Sequence, residues 1–291
     1  MKAPPAKTKR KVIFSTSKAS LKICDGKTEA PHYEHAPMQL SHLGSPWRRY
    51  RDVLTLLGMG DEIIIASEHE APTKRVGVRK FHRGERDIET LSRFRALRHV
   101  NIVAAVEAFI GQEILYVAFE EMHMPLENIV RCPRRPTSNE VGVILGQVLD
   151  GLAYLELHQL YHSYLSCETV LVHADGDVKI GMQEQCRAAT PQGKKQNVME
   201  VGTMAMKLMQ GYSSEDGEVG VEDNTGWSDS ILAVLSSVAS CDGASQLRKN
   251  AFFTQLWKKE SRWPKETLCD LIVTTLISVH RYYKYKPQTF L

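Results

Sequence analysis

The sequence predicts an α+β protein of two unequal lobes, on three observations. Short β-branched segments crowd residues 53–119, with one helical stretch inserted among them. A long apolar stripe at helical spacing begins just after Thr137. Beyond it, two short strand candidates flank Asp175-Gly176, a two-residue hairpin signal. A chain of 291 residues has room for both lobes.

Residues 1–47 hold scattered Pro, Ser, His and Lys with no sustained period, and read as a disordered basic extension. Lys2, Lys7, Lys9, Arg10 and Lys11 carry five positive charges, without which the chain's net +3 becomes −2. The body therefore implies no general nucleic-acid surface, and contact with nucleic acid is expected only through this tail. A nuclear-import signal is a second use of the same cluster, and a solvated tail is the simpler one.

From Tyr50 the texture changes. Segments 53–58, 62–67 and 74–81 predict a three-stranded antiparallel meander. Ile88, Leu91, Phe94 and Leu97, spaced by three, predict a helix. Strands over 103–109 and 113–119, turning at Gly111-Gln112, complete a small lobe of five strands and one helix over about 48–121. The larger, mainly helical lobe takes about 122–291. Thr137 with Glu140 three residues on is a capping box. Val141, Leu145, Val148, Leu152 and Leu155 then form a buried helical stripe. Strands at 169–173 and 177–181 follow, then helices near 196–209, 228–240 and 265–280. There is no internal repeat.

No run of about 18 apolar residues exists, so no membrane span is expected. The amino terminus lacks the apolar stretch of a signal peptide. The six cysteines show no CxxC spacing and no accompanying His cluster, so they read as reduced thiols rather than a zinc site. Together these point to an intracellular protein, cytoplasmic or nuclear.

Three blocks, in order and at suitable separations, resemble the eukaryotic protein kinases over about residues 50–260. They are LRHVNIV at 97–103, LYVAFEEMHMPL at 115–126 and GLAYLELHQLYHSYLSCETVLVHADGDVKI at 151–180. QLRKNAFF at 246–253 is similar to the family's closing helix of the large lobe. The resemblance implies a bilobal kinase-like fold with Phe119 as gatekeeper. It places Glu120–Met122 at the hinge, where family members hydrogen-bond adenine.

Kinase chemistry needs a glycine-rich turn against the phosphates, a strand Lys held by a helix Glu, an Asp for the acceptor hydroxyl, and an Asn and Asp for magnesium. Gly58 and Gly60 match the first two glycines of GxGxxG, but the third is Ile63, whose branched side chain crowds the backbone. A plain hairpin turn is an equal reading of the pair. VAIK reads Val76-Gly77-Val78-Arg79, and strand alternation turns Lys80 away from the site. Thr90 stands at the helix-acid position, with Glu89 adjacent. HRDLKPEN reads His162-Ser163-Tyr164-Leu165-Ser166-Cys167-Glu168-Thr169, so Tyr164 replaces the catalytic Asp and Thr169 the magnesium Asn. A phenol with a pKa near 10 is a poor proton acceptor at neutral pH. DFG reads Met182-Gln183-Glu184, which puts a thioether where magnesium wants hard oxygen. Asn197 stands at the start of the next family motif, fifteen residues beyond Met182, with no substrate platform between.

The resemblance and its losses together imply a catalytically inactive kinase-like domain, a pseudokinase acting as scaffold or allosteric module with a protein partner. No catalytic residue, metal or obligatory cofactor is expected. ATP without magnesium is the ligand the cleft residues Gly58, Gly60, Arg79, Glu120 and Met122 would hold. The alternative is an ATP-binding serine/threonine kinase with residual or rewired phosphotransfer, recruiting Glu168 or Glu184 to a metal. The aromatic-basic run 280–286 either docks a partner or, more simply, covers the large lobe.

Overall fold

In a computed structural model the described residues are 39–56, 62–84, 87–214, 218–257 and 262–279. They form two lobes joined at residues 121–123, as the α+β expectation requires.

The small lobe carries β1 (Gln39–Leu43), β2 (Tyr50–Leu56), β3 (Ile63–Glu68), β4 (Arg75–His82), α1 (Asp87–Ala96), β5 (Ala105–Ile110) and β6 (Ile114–Glu120). They make one six-stranded sheet in the order β1-β5-β6-β4-β3-β2, antiparallel except for the parallel β1–β5 pair. Alternation sorts its faces. Ile63, Ile65, Val117 and Phe119 pack under α1 with Leu91 and Phe94, while Ile64, Ala66, Val76, Val78 and Ala118 gather on the other face with Tyr50 and Phe109.

The five-strand expectation needs correcting to six, and residues 39–47 are not part of a disordered extension. The reason is a buried carboxylate. Glu107 on β5 is 1% exposed and gathers the Tyr50 hydroxyl, His42 at 3.2 Å and Arg49 at 3.3 Å. His42 also stacks on Phe109 at 5.2 Å. A carboxylate in that setting requires partners, and residues 42–50 supply them.

The large lobe follows with β7 (Met124–Pro125), α2 (Leu126–Val130), α3 (Ser138–Leu157), β8 (Leu160–His162), β9 (Val170–Val172), β10 (Val178–Ile180) and β11 (Cys186–Ala188). Helices α4 (Pro191–Gln210), α5 (Asp229–Val238), α6 (Ala244–Leu247), α7 (Ala251–Leu256) and α8 (Cys269–Val279) complete it. The capping box at Thr137 and Glu140 forms as read, both hydrogen bonds being present. Helix α3 is buried nearly all round and is the axis of the lobe's core. Gly146 leaves the space in which the Trp263 indole meets α3, and that indole donates to Asp150 at 2.7 Å.

Two local expectations shift. The Asp175-Gly176 turn is a three-residue loop, closed by His173 N–H to Asp177 O at 2.8 Å, with Gly176 at φ +92°. That is a three-residue hairpin loop with a left-handed third residue, not a two-residue turn. Helix α4 begins at Pro191 rather than near 196, because Thr190 caps it by accepting from Gly193 N–H.

Cys132, Cys167, Cys186 and Cys241 are free and buried. Burial pushes the Cys167 and Cys186 thiols up to about 12, so they stay protonated. Cys269 is disulfide-bonded, so the reading of six reduced thiols fails there. Among the described residues no helix is long and apolar enough to cross a membrane.

Candidate functional site

A cleft opens between the lobes where the resemblance puts it. Ile63, Ile65, Gly77 and Arg79 come from β3 and β4, and Phe119, Glu120 and Met122 from the end of β6 and the hinge. Glu168 and Thr169 rise from the loop before β9 and Leu171 from β9 itself, and Gly181, Met182 and Gln183 follow β10. It is an open slot enclosing about 510 Å³ with the solvent at its mouth counted. Gly58 and Gly60 lie outside the described residues.

Arg79 points into this slot and Lys80 out to solvent, as strand alternation demands. The Arg79 side chain makes a two-pronged ion pair with Glu184, at 2.7 Å and 3.1 Å. Its guanidinium also lies 4.9 Å from the Phe81 ring. The helix residues expected near the partner acid do not take that part. Thr90 is half-buried, and Glu89 is exposed and pairs with Arg93 at 2.7 Å. Arg93 donates in turn to the Glu184 carbonyl at 3.2 Å, and Arg187 to the same oxygen at 2.7 Å. Sequence reasoning found both members of the Arg79–Glu184 pair but not the pairing. The available signal was charge: Glu184 is the only acid in Met182-Gln183-Glu184.

The loop below is held by backbone-directed bonds. His162 is fully buried, and its Nε2 bonds the carbonyls of Gly181 and Met182 at 3.0 Å and 3.1 Å. Burial first of all lowers its pKa, against the two carbonyl contacts that raise it, so a neutral ring donating through Nε2 fits the site. Met182 sits at φ 53° and ψ 48°, a left-handed conformation uncommon for a residue with a side chain. His162 pins both carbonyls flanking that φ, and so holds it. From α4, Asn197 accepts from His162 N–H at 2.9 Å and donates to its carbonyl at 2.6 Å. Asn197 therefore sits mid-helix, not at a helix start, and anchors the loop to α4.

Tyr164 is 54% exposed. Thr169 is buried, and its hydroxyl accepts from Ser166 N–H at 2.9 Å and donates to the Tyr164 carbonyl at 3.1 Å. Its oxygen is thus engaged in shaping the loop. Gln183, 2% exposed, donates its amide N–H to the Val103 carbonyl. Its Oε1 is buried with no hydrogen-bond partner among the described residues. At the hinge, Glu120 accepts from Ala104 N–H at 2.6 Å and pairs with Lys179 at 2.7 Å. Met122 is buried. Among the described residues no group of three or more His, Cys, Asp or Glu is placed to hold a metal.

From Met182 the chain runs through β11, which pairs antiparallel with β8, and enters α4 at Pro191. Residues 183–190 are all that connects them.

The family model described as protein tyrosine and serine/threonine kinase matches residues 67–217. Mitogen-activated protein kinase 3 of Oryza sativa subsp. japonica is 26% identical over 130 residues, covering 40% of this chain and 35% of that protein. Serine/threonine-protein kinase pak-1 of Caenorhabditis elegans is 25% identical over 167 residues, covering 55% of this chain and 29% of that protein. Serine/threonine-protein kinase SMU1 of Mycosarcoma maydis is 31% identical over 84 residues, 28% of this chain and 11% of that one. The chain thus spans about a third or less of each of these relatives.

Proposed function

We propose that this chain, which belongs to the protein tyrosine and serine/threonine kinase family, is a pseudokinase: a kinase-shaped binding module that transfers no phosphate. One observation carries the reading. Glu184, the acid of the Met182-Gln183-Glu184 segment, is bound by both prongs of the Arg79 guanidinium.

Magnesium-ATP is the group the family implies, and the residues present do not fit it. Magnesium takes hard oxygen ligands. Thr169 offers a hydroxyl already used in the loop, and Met182 a thioether. Arg79 has two of its five N–H donors on Glu184, which offsets the charge it would offer a phosphate. The acceptor-hydroxyl position is held by Tyr164, which is exposed and a poor base at neutral pH. Losing a general base alone removes roughly 10²–10⁴ in rate, and these parts act as a unit rather than additively. The short link 183–190 also supports the reading, because it leaves little chain for a peptide-substrate platform.

On this account the domain works through its surfaces, with a protein partner, and inside the cell. Residual phosphotransfer is the second reading, favoured by the place of Glu168 in the cleft wall. The deciding assay is transfer of labelled γ-phosphate to casein with magnesium or manganese. The proposal expects no transfer above that of an Arg79→Ala protein. Metal-dependent transfer that Arg79→Ala removes would overturn it.

A further inference from the structure

We infer that Ser45 is a phosphorylation site for a proline-directed serine/threonine kinase, and that its phosphate clamps residues 42–49 onto the small lobe through Arg48. The site lies outside the cleft and does not depend on the cleft's chemistry.

Sequence supplies the first observation. Ser45-Pro46-Trp47-Arg48 sets a serine before a residue with no N–H and places a cation three positions on. Kinases of the cyclin-dependent type read that pattern. Of the chain's twelve prolines only Pro46 and Pro191 follow a serine or threonine. Thr190 has Gly193 at the third position instead of a cation, and its hydroxyl already caps α4 by accepting from Gly193 N–H at 2.9 Å.

Exposure is the second. Ser45 has extended backbone, at φ −98° and ψ 145°. It is exposed, as are Leu43 and Gly44 before it and Arg48 after it. Its hydroxyl oxygen accepts from Trp47 N–H at 3.4 Å, a long bond that a phosphate oxygen can replace.

The third is an uneven distribution of charge. Residues 42–49 lie against the outer face of the small lobe. Pro46 is buried, and Trp47 meets the Tyr116 ring edge-on at 6.0 Å. Arg49 is held by Glu68 at 2.9 Å and Glu107 at 3.3 Å. Arg48 is exposed and has no carboxylate partner among the described residues. Residues 46–48 form a single 3₁₀ turn, in which side chains three apart eclipse, so Arg48 stands over Ser45. A phosphoserine carries about −1.5 to −2 charges at neutral pH and forms charge-assisted hydrogen bonds to a facing arginine.

In the reaction the Ser45 Oγ attacks the γ-phosphorus of ATP bound to the acting kinase. The new Oγ–P bond replaces the bond to the β–γ bridging oxygen, ADP leaves, and the hydroxyl proton passes to that kinase's base.

The test incubates the full chain with a purified cyclin-dependent kinase and ATP, and locates phosphate by peptide mass spectrometry. A synthetic peptide of residues 40–51 controls for recognition of the motif. The expected result is phosphate on Ser45 in both and none on Thr190, with amide exchange of residues 42–49 slowed about tenfold in the phosphorylated chain. An Arg48→Ala protein, brought to equal phosphate content by longer incubation, should lose that slowing. An unmodified Ser45 in the full chain overturns the site, whether or not the peptide is modified. Phosphate on Ser45 without slower exchange, or slowing that survives Arg48→Ala, overturns the clamp. The parent chain compared with and without phosphate decides this even where the variant folds poorly.

Discussion

Replacing Glu184 with alanine isolates the contact on which the site is built. The carboxylate and the guanidinium meet through two hydrogen bonds, at 2.7 Å and 3.1 Å, with side-chain exposures of 8% for Arg79 and 14% for Glu184. Breaking a buried pair by removing one partner costs about 3–5 kcal/mol, because the remaining charge is stranded. The residual exposure of Glu184 puts Glu184→Ala at the lower end, about 3 kcal/mol. For a domain of this size each kcal/mol lowers Tm by about 2–4 °C, so the loss is about 6–12 °C. The apolar double variant Arg79→Met with Glu184→Leu removes both charges and should recover to within about 1 kcal/mol of the parent. Urea unfolding followed by tryptophan fluorescence, with calorimetry for Tm, measures both. A single variant costing under about 1 kcal/mol, or a double no better than the single, would refute the claim that this pair is a buried structural contact.

Asn197 and His123 give two further tests. Asn197→Ala strands the His162 N–H and carbonyl it now satisfies, and should cost about 2–3 kcal/mol in urea unfolding; a loss under about 0.5 kcal/mol would show that α4 does not anchor the loop. His123 packs 4.5 Å from the His173 ring, and burial first, then that ring, holds its pKa down to about 4. The unfolded chain takes the proton near pH 6.5 while the folded one waits until about 4. Stability is therefore complete above about pH 6.5 and falls as pH drops towards 4, by on the order of 2–3 kcal/mol. His173 works in the opposite direction: burial lowers its pKa, but the Asp175 carboxylate raises it overall, so its contribution is present below pH 6.5 and fades as pH rises. His123→Gln should consequently lose less stability than the parent across that window, and equal slopes would sink the assignment.

Local signals made much of this structure legible. The apolar stripe from Val141 to Leu155 and the Thr137 cap fix α3 because both act within a few residues. The inward Arg79 and outward Lys80 follow from a two-residue period. What escaped depends on distant partners. Strand β1 pairs with β5 across more than sixty residues, and its five residues, QLSHL, lack the β-branched texture of the other strands. Glu184 lies 105 residues from Arg79, and nothing in the period of either segment ties them together. The start of α4 was readable in principle from Thr190-Pro191, a cap followed by proline. The Gln183 contact to Val103 was not, since a buried amide and a solvent-facing one look alike in sequence.

The central claim, that this cleft has lost metal-assisted nucleotide chemistry, is tested most directly by one titration. Melting temperature is followed against ATP concentration with and without magnesium, since a ligand bound to the folded state raises it by mass action. The account predicts that magnesium adds nothing to whatever rise ATP produces. A rise that requires magnesium would contradict it, and would return Glu168 and Glu184 to the role of metal ligands.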